Sequence, residues 1–132
     1  MTSTAIPPRI LYVDDNPDVA DSTVSLLQVV GFEAMACYDG WTALLLAARF
    51  LPGICLIDLH MPGMDGDELA IRLREGVDRT QLKLVAVTAM HDEESCERIR
   101  DAGFDLHLVK PVDPHHLPSV IASLWSPPRL QS

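Results

Sequence analysis

Five side chains in this sequence have types suited to one piece of chemistry: Asp14, Asp15, Asp58, Thr88 and Lys110. Each stands where a short run of strand-forming residues stops, at the ends of 9–13, 54–57, 82–88 and 105–109. Carboxylate oxygens suit Mg²⁺, which is held through one or two carboxylates and keeps several waters. A hydroxyl and an ammonium are the donors that phosphoryl oxygens need. Gathered in one place, the set prescribes a site for a hard divalent cation and a phosphoryl group. Singly, each has a plainer reading. Asp14 or Asp15 would serve a turn or cap a helix, Asp58 would lend polarity to a loop, Thr88 would be a good β-former, and Lys110 an exposed lysine. That all of them fall at the same end of four different strands favours the shared site.

The elements that must position them follow from the spacing. After 9–13 and the two aspartates, Asn16 reads as an N-cap with Pro17 at the first helical position. Val19, Ala20, Val24, Leu27 and Val30 then recur at helical spacing until Gly31. A second strand is predicted over 32–37, a turn at Asp39-Gly40, a helix over 41–50 closed by Pro52-Gly53, and a third strand over 54–57. The segment 59–66, with Pro62, Gly63 and Gly66, reads as a loop. Helices are expected over 67–75 and 92–102, the latter with a thin apolar stripe of Cys96, Ile99 and Ala102 before Gly103. The last helix is expected to run to about Trp125, with Asp113 as N-cap and Pro114 first. Pro118 sits awkwardly in its second turn, so 113–114 forming only a turn, with the regular helix starting at Pro118, is the alternative. The order is βα five times, with mostly apolar strands. That predicts a single α/β domain, a doubly wound five-stranded parallel sheet covered by helices on both faces. Ligands bind at the carboxyl ends of such strands, where the five residues stand.

Four stretches carry a resemblance to a known family: Ile10-Leu11-Tyr12-Val13-Asp14-Asp15-Asn16, then 56–66 (Leu-Ile-Asp-Leu-His-Met-Pro-Gly-Met-Asp-Gly), then Val85-Ala86-Val87-Thr88-Ala89, and Lys110-Pro111. The chain resembles the receiver domains of two-component response regulators over residues 9–125, with 1–8 and 126–132 as tails. The resemblance implies a flavodoxin-like receiver fold with strand order 2-1-3-4-5. It implies that Asp58 accepts a phosphoryl group from a sensor histidine kinase or a histidine phosphotransfer protein. Mg²⁺ would be held by Asp15, Asp58 and the backbone carbonyl of His60, with Asp14 acting mainly through a bound water. Thr88 and Lys110 would take the phosphoryl oxygens, and the Lys110–Pro111 peptide would be cis. Such a domain is not an enzyme on external substrates. It supports its own phosphorylation and dephosphorylation and signals by contact with a downstream protein, as a monomer or weak homodimer. The stretch 103–114 looks more like receivers attached to hybrid histidine kinases than those of DNA-binding regulators.

Some positions depart from the family pattern. His107 stands three residues before Lys110, where many receivers carry a Tyr or Phe switch, and an inward-swinging imidazole there would make the response depend on pH near neutrality. His60 and Met90, two residues after Asp58 and Thr88, occupy the places that tune the lifetime of the phosphoryl group. Neither is a water-orienting acid or amide. His60 and His91 lack the spacing of a zinc site.

Composition sets the outer bounds. The chain has 132 residues, 10 Lys plus Arg against 19 Asp plus Glu, and a net charge of −9, which disfavours nucleic acid or an anionic membrane as partner. With no signal peptide and no span-length apolar run, and with three widely spaced cysteines read as reduced, mostly buried thiols, a cytoplasmic protein is expected. An aspartate-nucleophile phosphatase would need a second acid where Asn16 stands. A flavin module would need a Gly/Ser/Thr-rich loop after the first strand.

Overall fold

The computed structural model describes residues 7–75, 81–89 and 92–125. Strand β1 (Ile10–Val13) is buried along its whole length, as a run apolar on both faces must be at the centre of a sheet. Helix α1 (Pro17–Val29) starts where the sequence sets it: the Asn16 side chain accepts from the Asp18 and Val19 amides, and Pro17 occupies the first turn. Gly31 follows at φ 106°, in the left-handed region that glycine enters without penalty. Strand β2 (Ala34–Cys37) is shorter than the expected 32–37, because the Phe32 amide donates back to the Leu27 carbonyl in the turn out of α1. Helix α2 (Gly40–Phe50) is capped by Asp39, β3 (Ile54–Asp58) is wholly buried, and α3 (Gly66–Arg74), β4 (Lys83–Thr88), α4 (Glu93–Ala102), β5 (Leu106–Val109) and α5 (Leu117–Leu124) complete the chain.

The five strands are parallel in the order β2-β1-β3-β4-β5, as the family resemblance implies. Alternation along each strand divides the core in two. Leu11, Val13, Cys55, Ile57, Leu84 and Ala86 pack under α2, α3 and α4. Ile10, Tyr12, Leu56, Val85 and Val87 pack with Ala20, Val24 and Leu27 of α1 and Leu117 and Ile121 of α5. Cys37 and Cys55 are buried and Cys96 is partly so; burial pushes the Cys55 thiol up to about 12 and raises that of Cys37, so both stay protonated packing groups. Among the described residues no helix is long and apolar enough to cross a membrane.

Two expectations need correction. The last helix does not begin at Asp113–Pro114. Residues 114–116 form a turn, with the Asp113 side chain accepting from the His115 amide, and α5 starts at Leu117 with Pro118 in its first turn. The missing donor of Pro118 decides this, since it is harmless only where no intrahelical bond is due. On α4 the buried positions are Ser95, Ile99 and Ala102, while Cys96 is turned partly outward. Positions 95, 99 and 102 recur at i, i+4 and i+7 on one face, and the Ser95 amide donates to the capping Asp92 side chain at 2.8 Å.

Candidate phosphoryl-acceptor and metal site

Register alone brings the five residues together. Val13 pairs with Ile57, so Asp14 is level with Asp58, and Asp58 pairs with Val87, one residue short of Thr88. Thr88 pairs with Val109, one residue short of Lys110, and the Lys110 amide donates to the Thr88 carbonyl at 2.9 Å. All five therefore stand at the carboxyl edge of the sheet. The Lys110–Pro111 peptide is cis.

The local chain fixes each carboxylate. Asp14 is fully buried and accepts from the Asn16 amide at 2.9 Å, the local bond of a turn residue. Asp58 is 6% exposed and accepts from the His60 amide at 3.4 Å. Asp15 is exposed. One oxygen from each of Asp14, Asp15 and Asp58 lies within 4.8 Å of the others. Lys110 Nζ reaches Asp14 Oδ2 at 3.1 Å and Asp58 Oδ2 at 3.3 Å. Thr88 is buried. His60 is exposed beside this edge, His107 is half-buried on β5 opposite Ala86, and Met90 and His91 lie outside the described residues.

The loop 59–65 is more deeply built than a Pro/Gly stretch suggests. Leu59, Met61 and Met64 are all buried, and Met64 lies so close to Gly40 that a β-carbon there would stand 2.8 Å from its sulfur. The loop thereby braces the end of β3 that carries Asp58.

Electrostatics follow from this crowding. Burial pushes the Asp58 carboxyl up; the Lys110 ammonium opposes that, the Asp14 charge adds to it, and the result is about 6. Burial pulls the Lys110 ammonium down, but its hydrogen bond to Asp14 and the charges of Asp58 and Asp14 outweigh it, and its pKa is raised. Burial, then the charges of Asp14 and Asp58, lift the Tyr12 phenol to about 12. A site that holds a carboxyl this far above its ordinary 3.8 is short of positive charge. Three carboxylates, two of them buried, are a hard-oxygen donor set that fits a divalent cation such as Mg²⁺.

This yields a measurable stability effect. The Asp58 carboxyl has a higher pKa folded than unfolded, so it favours folding while protonated and loses that advantage as pH rises through about 6. Without divalent cation at pH 7.5, ionised Asp58 should cost about 1–3 kcal/mol. Asp58→Asn should therefore be more stable than the wild type in urea titrations with chelator at pH 7.5, and the gap should roughly halve at pH 5. A gap independent of pH would refute the account.

A five-stranded parallel sheet of this order, with buried acids at its carboxyl edge, defines the class of doubly wound α/β domains, whose ligands bind at the strand ends. The family model described as response regulator receiver domain matches residues 10–122. The chain is 39% identical over 108 residues to an uncharacterized 14.6 kDa protein in the sodA1 3′ region of Leptolyngbya boryana, covering 82% of each chain. It is 34% identical over 105 residues to the response regulator PleD of Caulobacter vibrioides, covering 80% of this chain and 23% of PleD. A CheY-like response regulator receiver domain protein from Methanospirillum hungatei superposes with TM-score 0.78 at 30% identity, over 89% of this chain and 93% of the other. The chain belongs to the response regulator receiver domain family, the receiver domains of two-component signalling.

Proposed function

We propose that this receiver takes a phosphoryl group on Asp58 from a phosphohistidine of a sensor histidine kinase or histidine phosphotransfer protein, and passes the signal to a downstream protein by contact. The observation that carries the reading is the meeting of Asp14, Asp15 and Asp58 within 4.8 Å, with Lys110 at 3.1 and 3.3 Å from two of them. In the transfer an Asp58 oxygen bonds to phosphorus as the bond from phosphorus to the donor imidazole breaks. Such a transfer asks little of a protein beyond positioning and charge stabilisation. The fixed end of β3 supplies the first and Lys110 part of the second.

Asp15, Asp58 and the His60 backbone carbonyl would hold Mg²⁺, with Asp14 reaching it through a water. Bound there, Mg²⁺ supplies the positive charge that lets an ionised carboxylate approach a phosphoryl group. Afterwards Lys110 and the Thr88 hydroxyl would bind the new oxygens, drawing the ends of β4 and β5 inward. In this reading His60 flanks the approach of hydrolytic water and His107 occupies the switch position. The domain's own chemistry ends with gaining and losing that group. An acidic chain of net charge −9 suits a protein partner better than nucleic acid or an anionic membrane, and a cytoplasmic monomer or weak homodimer spanning 9–125 is the simplest form.

The test is incubation with Mg²⁺ and acetyl phosphate followed by intact mass. The wild type should gain one phosphoryl group and Asp58→Asn none, and chelator should abolish the gain. An unmodified wild type, or an equally modified Asp58→Asn, would overturn the reading.

A further inference from the structure

Helix α4 is held to the domain by very little apolar surface. Of its ten residues only Ser95, Ile99 and Ala102 are buried, and only Ile99 is large. What it has in addition is Arg98. The guanidinium grips Asp67 of α3 fork to fork, Nε to Oδ2 at 2.9 Å and Nη2 to Oδ1 at 2.9 Å. Nη2 also reaches Asp65 Oδ2 at 3.4 Å. Bidentate charge-assisted pairs are the strong and directional kind, and with Arg98 and Asp67 only 28% and 25% exposed the pair is screened less than a surface one. The grip holds the Asp67 carboxyl below its ordinary value.

The contacts do not stop at Asp65. Its other oxygen accepts from the Met61 amide at 3.3 Å. Met61 follows His60, whose own amide donates to Asp58 Oδ1 at 3.4 Å. On the other side, α4 begins five residues after Thr88 in the chain. Arg98 therefore ties the loop that follows Asp58 to the helix that follows Thr88, one of the two strand ends on which a phosphoryl group at Asp58 would pull. Asp67 sits in the first turn of α3, where the helix dipole stabilises its charge without help. Removing Arg98 would consequently free α4 rather than unravel α3.

We propose that Arg98 is a positioning residue of the phosphoryl-acceptor site, a latch that holds α4 against the Asp65–Asp67 turn in one arrangement and whose release speeds acceptance of the group. The inference rests on the reading of Asp58 as acceptor. A latched resting state lowers the fraction of molecules free to close on the phosphoryl oxygens, and loosening it raises that fraction.

The test compares Arg98→Met, which keeps the aliphatic stem, Arg98→Lys, and the swap Arg98→Asp with Asp67→Arg. Two measurements are made on each intact protein: hydrogen exchange at 93–102 without phosphodonor, and the rate of mass gain with acetyl phosphate and Mg²⁺. In Arg98→Met, α4 amides should exchange at least about tenfold faster with β1 and β3 unchanged, and phosphorylation should speed up about threefold or more. Arg98→Lys, a charge without the fork, should fall between, and the swap should restore both readouts towards wild type. Unchanged exchange in Arg98→Met overturns the latch. Faster exchange with an unchanged or slower phosphorylation rate makes the pair merely structural and also overturns it. A wild type that gains no phosphoryl group sinks the acceptor reading itself, whereas a wild type that gains it at the same rate as the variants sinks this inference alone.

Discussion

Gly66→Ala should destabilise the domain by about 3 kcal/mol, the upper range for overpacking a core, and should impair the site with it. Gly66 opens α3 and its amide donates to the Leu59 carbonyl at 2.8 Å. A β-carbon there would press on the Asp58 carbonyl oxygen and stand 2.9 Å from Leu59 Cα and from Ile57 Cγ2. The first two are backbone atoms at the end of β3, so relief requires moving Asp58 itself. Gly63→Ala is the matched control. Its φ of 84° brings strain, but no atom lies within 4 Å of the added carbon, so it should cost only about 1–2 kcal/mol. Urea titration of both variants decides the matter; equal losses would show that crowding at Gly66 is relieved elsewhere.

Arg74→Met should cost about 3 kcal/mol, in the range for removing one partner of a buried ion pair. From the end of α3 the guanidinium donates to the Leu82 carbonyl at 2.6 Å, the Gly103 carbonyl at 3.2 Å and Asp105 Oδ2 at 2.9 Å. Asp105 Oδ2 also accepts from the Leu84 amide at 2.9 Å. One side chain thus joins the end of α3, the approaches to β4 and β5, and the turn out of α4, at the pole of the sheet opposite the acidic site. Methionine keeps the stem but removes the Arg74 donors from Asp105 and from the Leu82 and Gly103 carbonyls. Adding Asp105→Asn should recover part of the loss, because an amide oxygen still accepts from Leu84 and a neutral amide costs less to bury than a carboxylate. The check is the shift in urea midpoint, and a loss below about 1 kcal/mol would mean that the pair behaves as an exposed one.

Much of this was legible in the residues. The five βα units followed from local pattern, and the site from asking what stands at each strand's end. Register then did the rest, since parallel pairing leaves strand-end residues nowhere else to go. The order of the strands came from family resemblance, because period and propensity do not say which strands neighbour. The Arg74 and Arg98 clamps were invisible for a related reason. Each links residues 31 apart in the chain, and an arginine beside other charged residues reads as a solvated face. The start of α5 was legible only through Pro118, whose missing donor outweighed the Asp113–Pro114 start pattern. The exchange of Cys96 for Ser95 on the buried face of α4 escaped apolar counting because a polar residue beside the helix cap fills that face.

The pairing of the first strand with the last helix has a consequence for synthesis. Ile10 and Tyr12 of β1 are among the first residues of the domain to leave a ribosome, yet Leu117 and Ile121, which share their core, are among the last. At about 5–20 residues per second, the sheet can be complete through β4 for seconds while the Val85 and Val87 face is still bare. During that interval the nascent domain offers a sticky apolar surface to other chains, which makes holdase chaperones natural company for it and truncation before α5 a route to aggregation rather than to a smaller working domain.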